Sequence, residues 1–272
     1  MLNILSNRTY RHLFMAQVIA LIGTGLATVA LGLLAYDLAG DRAGAVLGTA
    51  LAIKMSAYIL VAPVAAAFAD KFPRRTMLVT LDLVRALVAI TLPFVTQIWE
   101  IYILIFILQA ASAAFTPTFQ ATIPDILPDE REYTRALSLS RLAYDLESVI
   151  SPMLAAALLT VMSFHNLFAG TAVGFLASAA LVVSVTLPKM KALTVKRSIY
   201  DKTTRGMRIF LKTPRLRGLL ALNMAVAAAS AMVIVNTVVL VQADFGFSQR
   251  STAIALAFFG VGSMVSSLVL PR

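Results

Sequence analysis

The sequence has no cysteine among its 272 residues, and charged residues make up only 13% of it. The lack of cysteine excludes disulfides, thiolate metal sites and cysteine nucleophiles. A soluble domain usually has a charged share of about 25%, so this low share excludes an ordinary soluble protein. Because 60% of the residues are hydrophobic, the composition instead indicates an integral membrane protein.

Patterns typical of catalysis are also missing. The two histidines, His12 and His165, fall on opposite faces of the membrane in the topology predicted below, which excludes a Ser/His/Asp arrangement or a two-histidine metal site. No GxxxxGK[ST] motif occurs, and Gly23 and Gly25 do not follow a strand. We therefore expect a protein that is not an enzyme or an ATP-driven pump and that uses no metal or cofactor.

Long apolar runs, in contrast, recur along the whole chain. Runs of about 20 residues have the length that an α-helix needs to cross a bilayer. The first run, Leu13 to Leu34, is too long for the core of a signal peptide, so we expect it to remain as a membrane span. We predict an all-α membrane protein with eight helices, at residues 13–36, 44–68, 76–97, 101–121, 138–162, 166–187, 216–241 and 251–270.

The basic residues, which give a net charge of +10, concentrate in alternate loops. They follow the second, fourth and sixth predicted helices and also precede the first, whereas only Arg42 and Arg250 fall on the other face. By the positive-inside rule this pattern places the N-terminus in the cytoplasm.

One long polar connection divides the chain. It predicts a six-helix bundle over residues 1–187, a cytoplasmic basic linker over 188–215 and a partial bundle of two helices over 216–272. The linker mixes apolar and basic residues, which suits a short helix on an anionic membrane surface, so membrane lipid is an expected partner. Its basic residues lack interleaved aromatics, and we expect no nucleic-acid partner.

A charged loop, AAFADKFPRR, lies between the second and third predicted helices at residues 66–75. Asp70 lies at a helix end, and Lys71, Arg74 and Arg75 follow it. An acid and a basic cluster in this position can lock two helical bundles through charge pairs. The alternative is a positively charged turn that only sets the topology.

Three charged residues fall inside the second and third predicted spans, where charges are costly. Lys54 either extends its ammonium outward to the membrane surface or meets an acid across a cavity. Asp82 and Arg85 are three residues apart and can pair on one helix face. They form either a local structural pair, a part of the transport machinery, or an extension of the charges in the 66–75 loop.

The fifth predicted helix carries Arg141, Asp145 and Glu147 in its cytoplasmic third. Arg141 and Asp145 are one turn apart and can neutralise each other. Glu147 points elsewhere, roughly 120° from Arg141, and needs a different partner. A low dielectric favours the protonated form of a carboxylate without a fixed cation, so these acids are candidate proton carriers. Alternatively, they lie near the wet membrane surface and only orient the helix.

Polar side chains recur on one face of three predicted helices. Such stripes either line a water-facing pathway or form hydrogen bonds between helices. Their members are Gln17, Thr24 and Thr28 on the first helix, Gln109, Ser112, Thr116 and Gln120 on the fourth, and Asn223, Ser230 and Thr237 on the seventh.

These motifs together resemble the major facilitator superfamily, particularly its multidrug and macrolide-type efflux branch. The 66–75 loop is similar to the family's signature loop, with Ala66 and Pro73 in place of glycines. The segment from Ser151 to Ala156 is similar to the antiporter motif of exporters, with small residues in place of glycines. The opening NRTYRHLF and the run FTPTFQATIPDILPDE add to the resemblance.

The resemblance implies a fold of twelve helices in two six-helix halves, with helices one, four and seven around a central cavity. It implies a bacterial inner-membrane transporter that exports small amphipathic molecules by alternating access, powered by protons. Asp70, Arg74 and Arg75 would stabilise one state, and Glu147 or Asp145 would bind the proton. The alternatives are transport of a specific metabolite, siderophore or lipid, and a non-transporting or partner-dependent chain.

The third alternative follows from the helix count. Only two helices of a second half are predicted, so we expect a truncated product, a fragment, or a split gene whose missing helices form a separate chain.

Overall fold

The computed structural model describes residues 2–39, 42–68, 72–188 and 199–238, and the isolated positions 241, 245–246, 255, 258–259 and 262. The chain divides into two compact units, residues 1–203 and 204–272. Every regular element in the described residues is a helix, which confirms the predicted all-α class.

Six long helices form the first unit, after a short 3-10 helix at Leu2–Ser6. They are α1 at Arg8–Ala39, α2 at Ala43–Phe68, α3 at Arg74–Thr91, α4 at Ile98–Ile126, α5 at Glu130–Leu158 and α6 at Phe164–Val183. A 3-10 turn at Leu92–Phe94 continues α3, α7 at Ile199–Lys212 spans the boundary between the units, and α8 at Pro214–Val238 belongs to the second. The helix predicted at 251–270 lies outside the described residues, apart from the isolated positions named above.

Five of the described helices are long and apolar enough to cross a membrane: α1, α2, α3 with its 3-10 turn, α4 and α6. Helix α5 has the length of a span but carries Arg141, Asp145 and Glu147 within it. Charged residues inside a span are tolerated when they face the interior of a bundle. The surroundings of these three side chains therefore decide whether α5 can cross a membrane.

Helix α1 is the main packing element of the first unit and contacts α2, α5 and α6. It approaches α6 closely at Gly23, where an added Cβ would lie 3.2 Å from the Thr171 carbonyl oxygen. The Thr171 hydroxyl donates to the Gly23 carbonyl across 2.9 Å. A small residue at such a crossing lets two backbones approach, which is the usual basis of helix association in membranes.

The starts of α1, α3 and α5 and the ends of α2, α4 and α6 lie at one end of the bundle, here called the basic end. Arg74, Arg75, Arg131 and Arg135 belong to it. The Tyr10 hydroxyl donates to the Ala136 carbonyl at 3.3 Å and so joins the starts of α1 and α5.

Helix α5 begins at Glu130, eight residues before its predicted start at residue 138. Asp129 caps it, because one carboxylate oxygen accepts from the backbone N–H groups of Arg131 at 2.9 Å and Glu132 at 3.0 Å. The apolar run that predicts a span begins later than the backbone hydrogen bonds of the helix. The charged first two turns are therefore helical but belong to the polar end of the bundle.

Candidate functional site

Asp82 and Arg85 form an ion pair inside the first unit, with side chains that are almost fully buried. Helix α3 presents them three residues apart on one face, as their spacing predicts. The second carboxylate oxygen of Asp82 accepts from the Ser178 hydroxyl of α6 at 2.7 Å. We call Asp82, Arg85 and Ser178 the closed cluster, since each carboxylate oxygen has a partner.

Two aromatic rings cover the guanidinium of the closed cluster. Its Cζ lies 4.3 Å from the ring centre of Phe115 on α4 and 4.6 Å from that of Phe175 on α6. A cation over an aromatic face gains an electrostatic attraction that is stronger away from water. Arg85 therefore links α3 to both α4 and α6, although its Nε has no hydrogen-bond partner.

Glu147 lies at the crossing of α5 with α1. A Cβ added to Gly25 would lie 2.6 Å from the Glu147 Oε1 and would also collide with the side chain of Ser151. Gly25 thus provides the space that the carboxylate occupies. The Ser151 hydroxyl is buried there without a hydrogen-bond partner.

Three further ionisable side chains act electrostatically around Glu147. Lys54 of α2 acts on Glu147, and Tyr58, one turn further along α2, interacts with both Glu147 and Tyr144. The Tyr144 hydroxyl lies 3.1 Å from the Thr116 hydroxyl of α4. We call Lys54, Tyr58, Tyr144 and Glu147 the open cluster, because all four side chains are partly exposed.

The two charged members of the open cluster lie at matching positions along their helices. Lys54 is eleven residues after Ala43, where α2 begins, and Glu147 is eleven residues before Leu158, where α5 ends. The prediction that Glu147 lies in the cytoplasmic third of its helix is wrong, because it is 17 residues after Glu130, where α5 begins, and 11 before Leu158. The carboxylate is instead near the middle of α5.

Arg141 and Asp145 pair on α5 at 3.3 Å, with side chains that are 79% and 50% exposed. Among the ion pairs between described residues, neither Lys54 nor Glu147 takes part. Arg141 and Asp145 are thus satisfied locally, whereas Glu147 has no fixed cation among the residues that the structure describes.

The charged loop is only partly described. Asp70 and Lys71 lie outside the described residues. Arg74 forms an ion pair at 2.8 Å with Asp125 at the end of α4, and Arg75 donates to the Val183 carbonyl at the end of α6. The start of α3 is therefore tied to two helix ends at the basic end of the bundle.

The polar stripes divide into buried and exposed members. Gln17 of α1 is buried and accepts from the Ser140 hydroxyl of α5 at 3.0 Å. On α4, Ser112 is buried and bonds to the carbonyl one turn before it, whereas the buried oxygen of Gln109 has no partner. Gln120 at the far end of the α4 stripe is exposed.

The remaining stripe members bond within their helices or face outward. Thr24 is partly buried and Thr28 is exposed, and each hydroxyl donates to a carbonyl one turn earlier at 2.9 Å. Asn223 on α8 is exposed, and the side chains of Ser230 and Thr237 lie outside the described ones. The stripes therefore combine helix-to-helix bonding with outward-facing polar groups.

Sequence reasoning missed several partners. Asp125 precedes a loop, and nothing in the sequence around it predicts an ion pair, although it lies in the FTPTFQATIPDILPDE run. Ser178, Tyr58 and Tyr144 stand in apolar or mixed segments, where the sequence does not reveal which helices pack together. Their roles follow only from the contacts between α3 and α6, and from the arrangement of α2 and α5 around α1 and α4.

A separate shallow pocket of about 310 Å³ lies between α3 and α4, at the end away from Arg74. Its ionisable residue Glu100 caps α4 by accepting from the backbone N–H groups of Thr96 and Gln97 at 3.0 and 2.9 Å. That carboxylate is therefore occupied by helix capping. No group of acidic or histidine side chains suited to a metal occurs in the described part of the chain.

Comparison with known proteins gives a consistent result. The family model for the Major Facilitator Superfamily matches residues 13–272. An uncharacterized MFS-type transporter of Bacillus subtilis is 24% identical over 220 residues, covering 79% of this chain and 52% of the relative. Macrolide efflux protein A of Enterococcus faecalis is 25% identical over 154 residues, covering 53% and 47% of the two chains.

A multidrug resistance protein of Dickeya zeae is also similar, at 28% identity over 162 residues, which cover 59% of this chain and 40% of the relative. The chain thus spans about half the length of the curated relatives that it matches.

Proposed function

The chain belongs to the Major Facilitator Superfamily, a family of membrane transporters rather than enzymes, and we propose that it acts in proton-coupled export of small amphipathic molecules. Two relatives are named as a macrolide efflux protein and a multidrug resistance protein, which supports export as the direction. The proposed cellular location is the inner membrane of a bacterium, with the basic end of the bundle and the N-terminus facing the cytoplasm.

The observation that carries the proposal is the position of Glu147. Its carboxylate lies near the middle of α5, partly buried at the crossing with α1, and belongs to none of the ion pairs between described residues. Ionisable groups at such depth commonly mark ion or proton pathways in membrane proteins. Asp145 is a weaker candidate, because Arg141 already neutralises it.

Alternating access requires contacts that form in one state and break in the other. We propose that Arg74 and Arg75, with Asp70 and Lys71 of the same loop, hold one of these states. The ties of Arg74 to Asp125 and of Arg75 to Val183 support this role, because both join helix ends at one surface of the bundle. Small movements of α3 would break them together.

The test is proton-driven efflux of a macrolide and of an amphipathic fluorescent dye from membrane vesicles. We expect Glu147→Gln to lose proton-driven transport, because an amide cannot take up and release a proton. Asp37→Asn, which changes an exposed acid of α1, is the matched control and should retain it. Equal transport by the Glu147→Gln variant and the parent would refute the assigned proton site.

The alternative substrate is one specific metabolite, siderophore or lipid. Half of a cavity in this family comes from the second half of the fold, and the chain spans about half the length of its relatives. Competition by a panel of unrelated amphipathic drugs separates the alternatives. Inhibition by many of them supports multidrug export, and drug-insensitive transport of one compound supports a specific carrier.

A further candidate is that residues 1–272 transport only with additional helices, supplied as a separate chain, or do not transport. This candidate is supported by the match to the relatives, which covers only about half of their length. Reconstitution of the chain alone in proteoliposomes tests autonomy. An imposed proton gradient that drives no flux would reject autonomous transport.

We also propose that α7 lies on an anionic lipid surface. The helix exposes Met207, Ile209, Phe210 and Leu211 among basic residues, a composition that suits the interface between headgroups and acyl chains. Replacing Phe210 by Asp in the whole chain should expose α7 to proteolysis in vesicles that contain phosphatidylglycerol. Unchanged cleavage would contradict this placement.

A further inference from the structure

The charged side chains near the middle of the six helices can be assigned by elimination. Arg85 pairs with Asp82 in the closed cluster, and Arg141 pairs with Asp145 on the exposed face of α5. Lys54 and Glu147, which have opposite charges, are then left over. An uncompensated charge inside a membrane bundle is costly, so such residues usually pair with one another.

The helix arrangement places these two residues where they can meet. Helices α2 and α5 both pack against α1 and α4, and Lys54 and Glu147 lie the same number of residues from the same end of the bundle. Gly25 of α1 has no side chain, so the Glu147 carboxylate occupies the space at that crossing. Lys54 acts on this carboxylate electrostatically without forming one of the ion pairs described above.

The other neighbours of Glu147 leave Lys54 as its available cation. Tyr58 of α2 and Tyr144 of α5 are uncharged hydroxyl donors, and α4 contributes the hydroxyl of Thr116 behind Tyr144. Arg85 of α3 interacts with the two tyrosines, but Asp82 holds its guanidinium.

We propose that Lys54 is the resident counter-ion of Glu147, which moves onto the carboxylate while it is ionised and withdraws when a transported proton takes its place. A lysine suits this exchange, because its ammonium is a compact charge on a flexible four-carbon stem. The role in exchange rests on the proposed function, whereas the pairing itself does not. Lys54 is thus a positioning residue that acts through Glu147.

Zero-length cross-linking in membranes tests the pairing without any transport. A membrane-permeant carbodiimide adds to the Glu147 carboxyl group to give an O-acylisourea. The neutral Lys54 amine then attacks the acyl carbon, so that an amide C–N bond forms, the C–O bond breaks and the urea leaves with the oxygen. We expect mass spectrometry to find a peptide joined through residues 54 and 147 in the parent chain.

Lys54→Arg is the matched control, because it keeps the positive charge but supplies no amine for the amide bond. We expect it to retain thermal stability and to lose the cross-linked product. Absence of that product from the parent chain would overturn the inference.

A double-mutant cycle with Lys54→Met and Glu147→Gln measures the coupling directly. Each single variant leaves one unpaired charge or dipole, so we expect each to lower the melting temperature in detergent. The melting temperature of the double variant should fall by less than the sum of the two single-variant decreases. Thr49→Ala, on the exposed face of α2, is the control and should leave the melting temperature unchanged. Additive shifts would overturn the counter-ion role.

Transport separates this inference from the proposed function. If the parent exports its substrate, Lys54→Met should lose proton-driven transport and the exposed Thr49→Ala should retain it. Coupling in the cycle together with an absence of flux in the parent would count against the proposed function and would leave the pairing standing.

Discussion

The closed and open clusters use similar residues in different surroundings. Asp82 and Arg85 belong to one helix, are almost completely buried, and have partners on α4 and α6. Lys54 and Glu147 belong to different helices, are partly exposed, and interact across a greater separation. The comparison teaches that the number of fixed partners distinguishes a charge that holds the fold from one that is free to change its partner.

The physical reason is the cost of separating charges. Breaking a buried ion pair leaves a charge without compensation, which costs several kcal/mol and favours one fixed geometry. A partly exposed acid can exchange one cation for another at a lower cost, because hydroxyl groups such as that of Tyr58 remain nearby. We therefore expect substitutions in the closed cluster to affect stability and those in the open cluster to affect transport.

The largest effect is expected for Arg85→Met, which leaves the buried Asp82 without its cation. The expected destabilisation is about 3–5 kcal/mol, measured by thermal unfolding in detergent and by the yield of folded protein. The double variant Asp82→Leu/Arg85→Met should recover part of this loss, because it removes both charges. A double variant no more stable than the single one would show that the pair is not held by charge compensation.

The next largest effect is expected for Ser178→Ala, which removes one hydrogen bond to the Asp82 carboxylate. Hydrogen bonds to charged groups contribute about 1.5–3 kcal/mol, and the bond to Arg85 remains in this variant. Thermal unfolding measures the loss. Ser184→Ala, just past the exposed end of α6, is the control and should have almost no effect.

A smaller effect on stability is expected for Gly25→Ala, which places a methyl group against Ser151 and Glu147 in the open cluster. Overpacking of this kind costs about 1–3 kcal/mol, of which the higher helix propensity of alanine offsets about 1 kcal/mol. Ser151→Gly in the same chain should recover part of the lost melting temperature, because it removes the two nearest colliding atoms and leaves the Glu147 Oε1.

Gly32→Ala is the control for this substitution, since nothing lies within 4 Å of a Cβ added there on the same helix. Equal shifts for Gly25→Ala and Gly32→Ala would contradict the close crossing of α1 with α5.

The smallest effect is expected for Arg141→Gln, since its pair with Asp145 is exposed to solvent in the described chain. Exposed pairs one helical turn apart contribute below about 0.5 kcal/mol. Thermal unfolding at low and high salt measures this contribution. A loss above about 1 kcal/mol would show that this pair is more strongly held than its exposure indicates.

Much of the fold could be predicted from the sequence, because a bilayer imposes a length on each apolar run. The predicted second and sixth helices lie within a few residues of α2 and α6. The start of α5 could not be found in this way, since a capping aspartate and charged turns precede the apolar run.

The candidate sites show a similar limit. The spacing of Asp82 and Arg85 predicts a pair on one helix, but the third partner, Ser178, lies 96 residues away. Lys54 and Glu147 could each be identified as costly charges within a span. Which helices bring them together depends on small residues such as Gly25, whose effect appears only when α1 and α5 are packed.

The bond between Thr171 and Gly23 joins residues that are 148 positions apart. At a synthesis rate of about 5–20 residues per second, the first helix waits on the order of 10 s for this neighbour to leave the ribosome. During that delay the side of α1 that carries Gly23 has no α6 to pack against. The packing of α1 is therefore completed late in synthesis. Substitutions in α6 that prevent this contact should leave α1, the first helix made, without its partner.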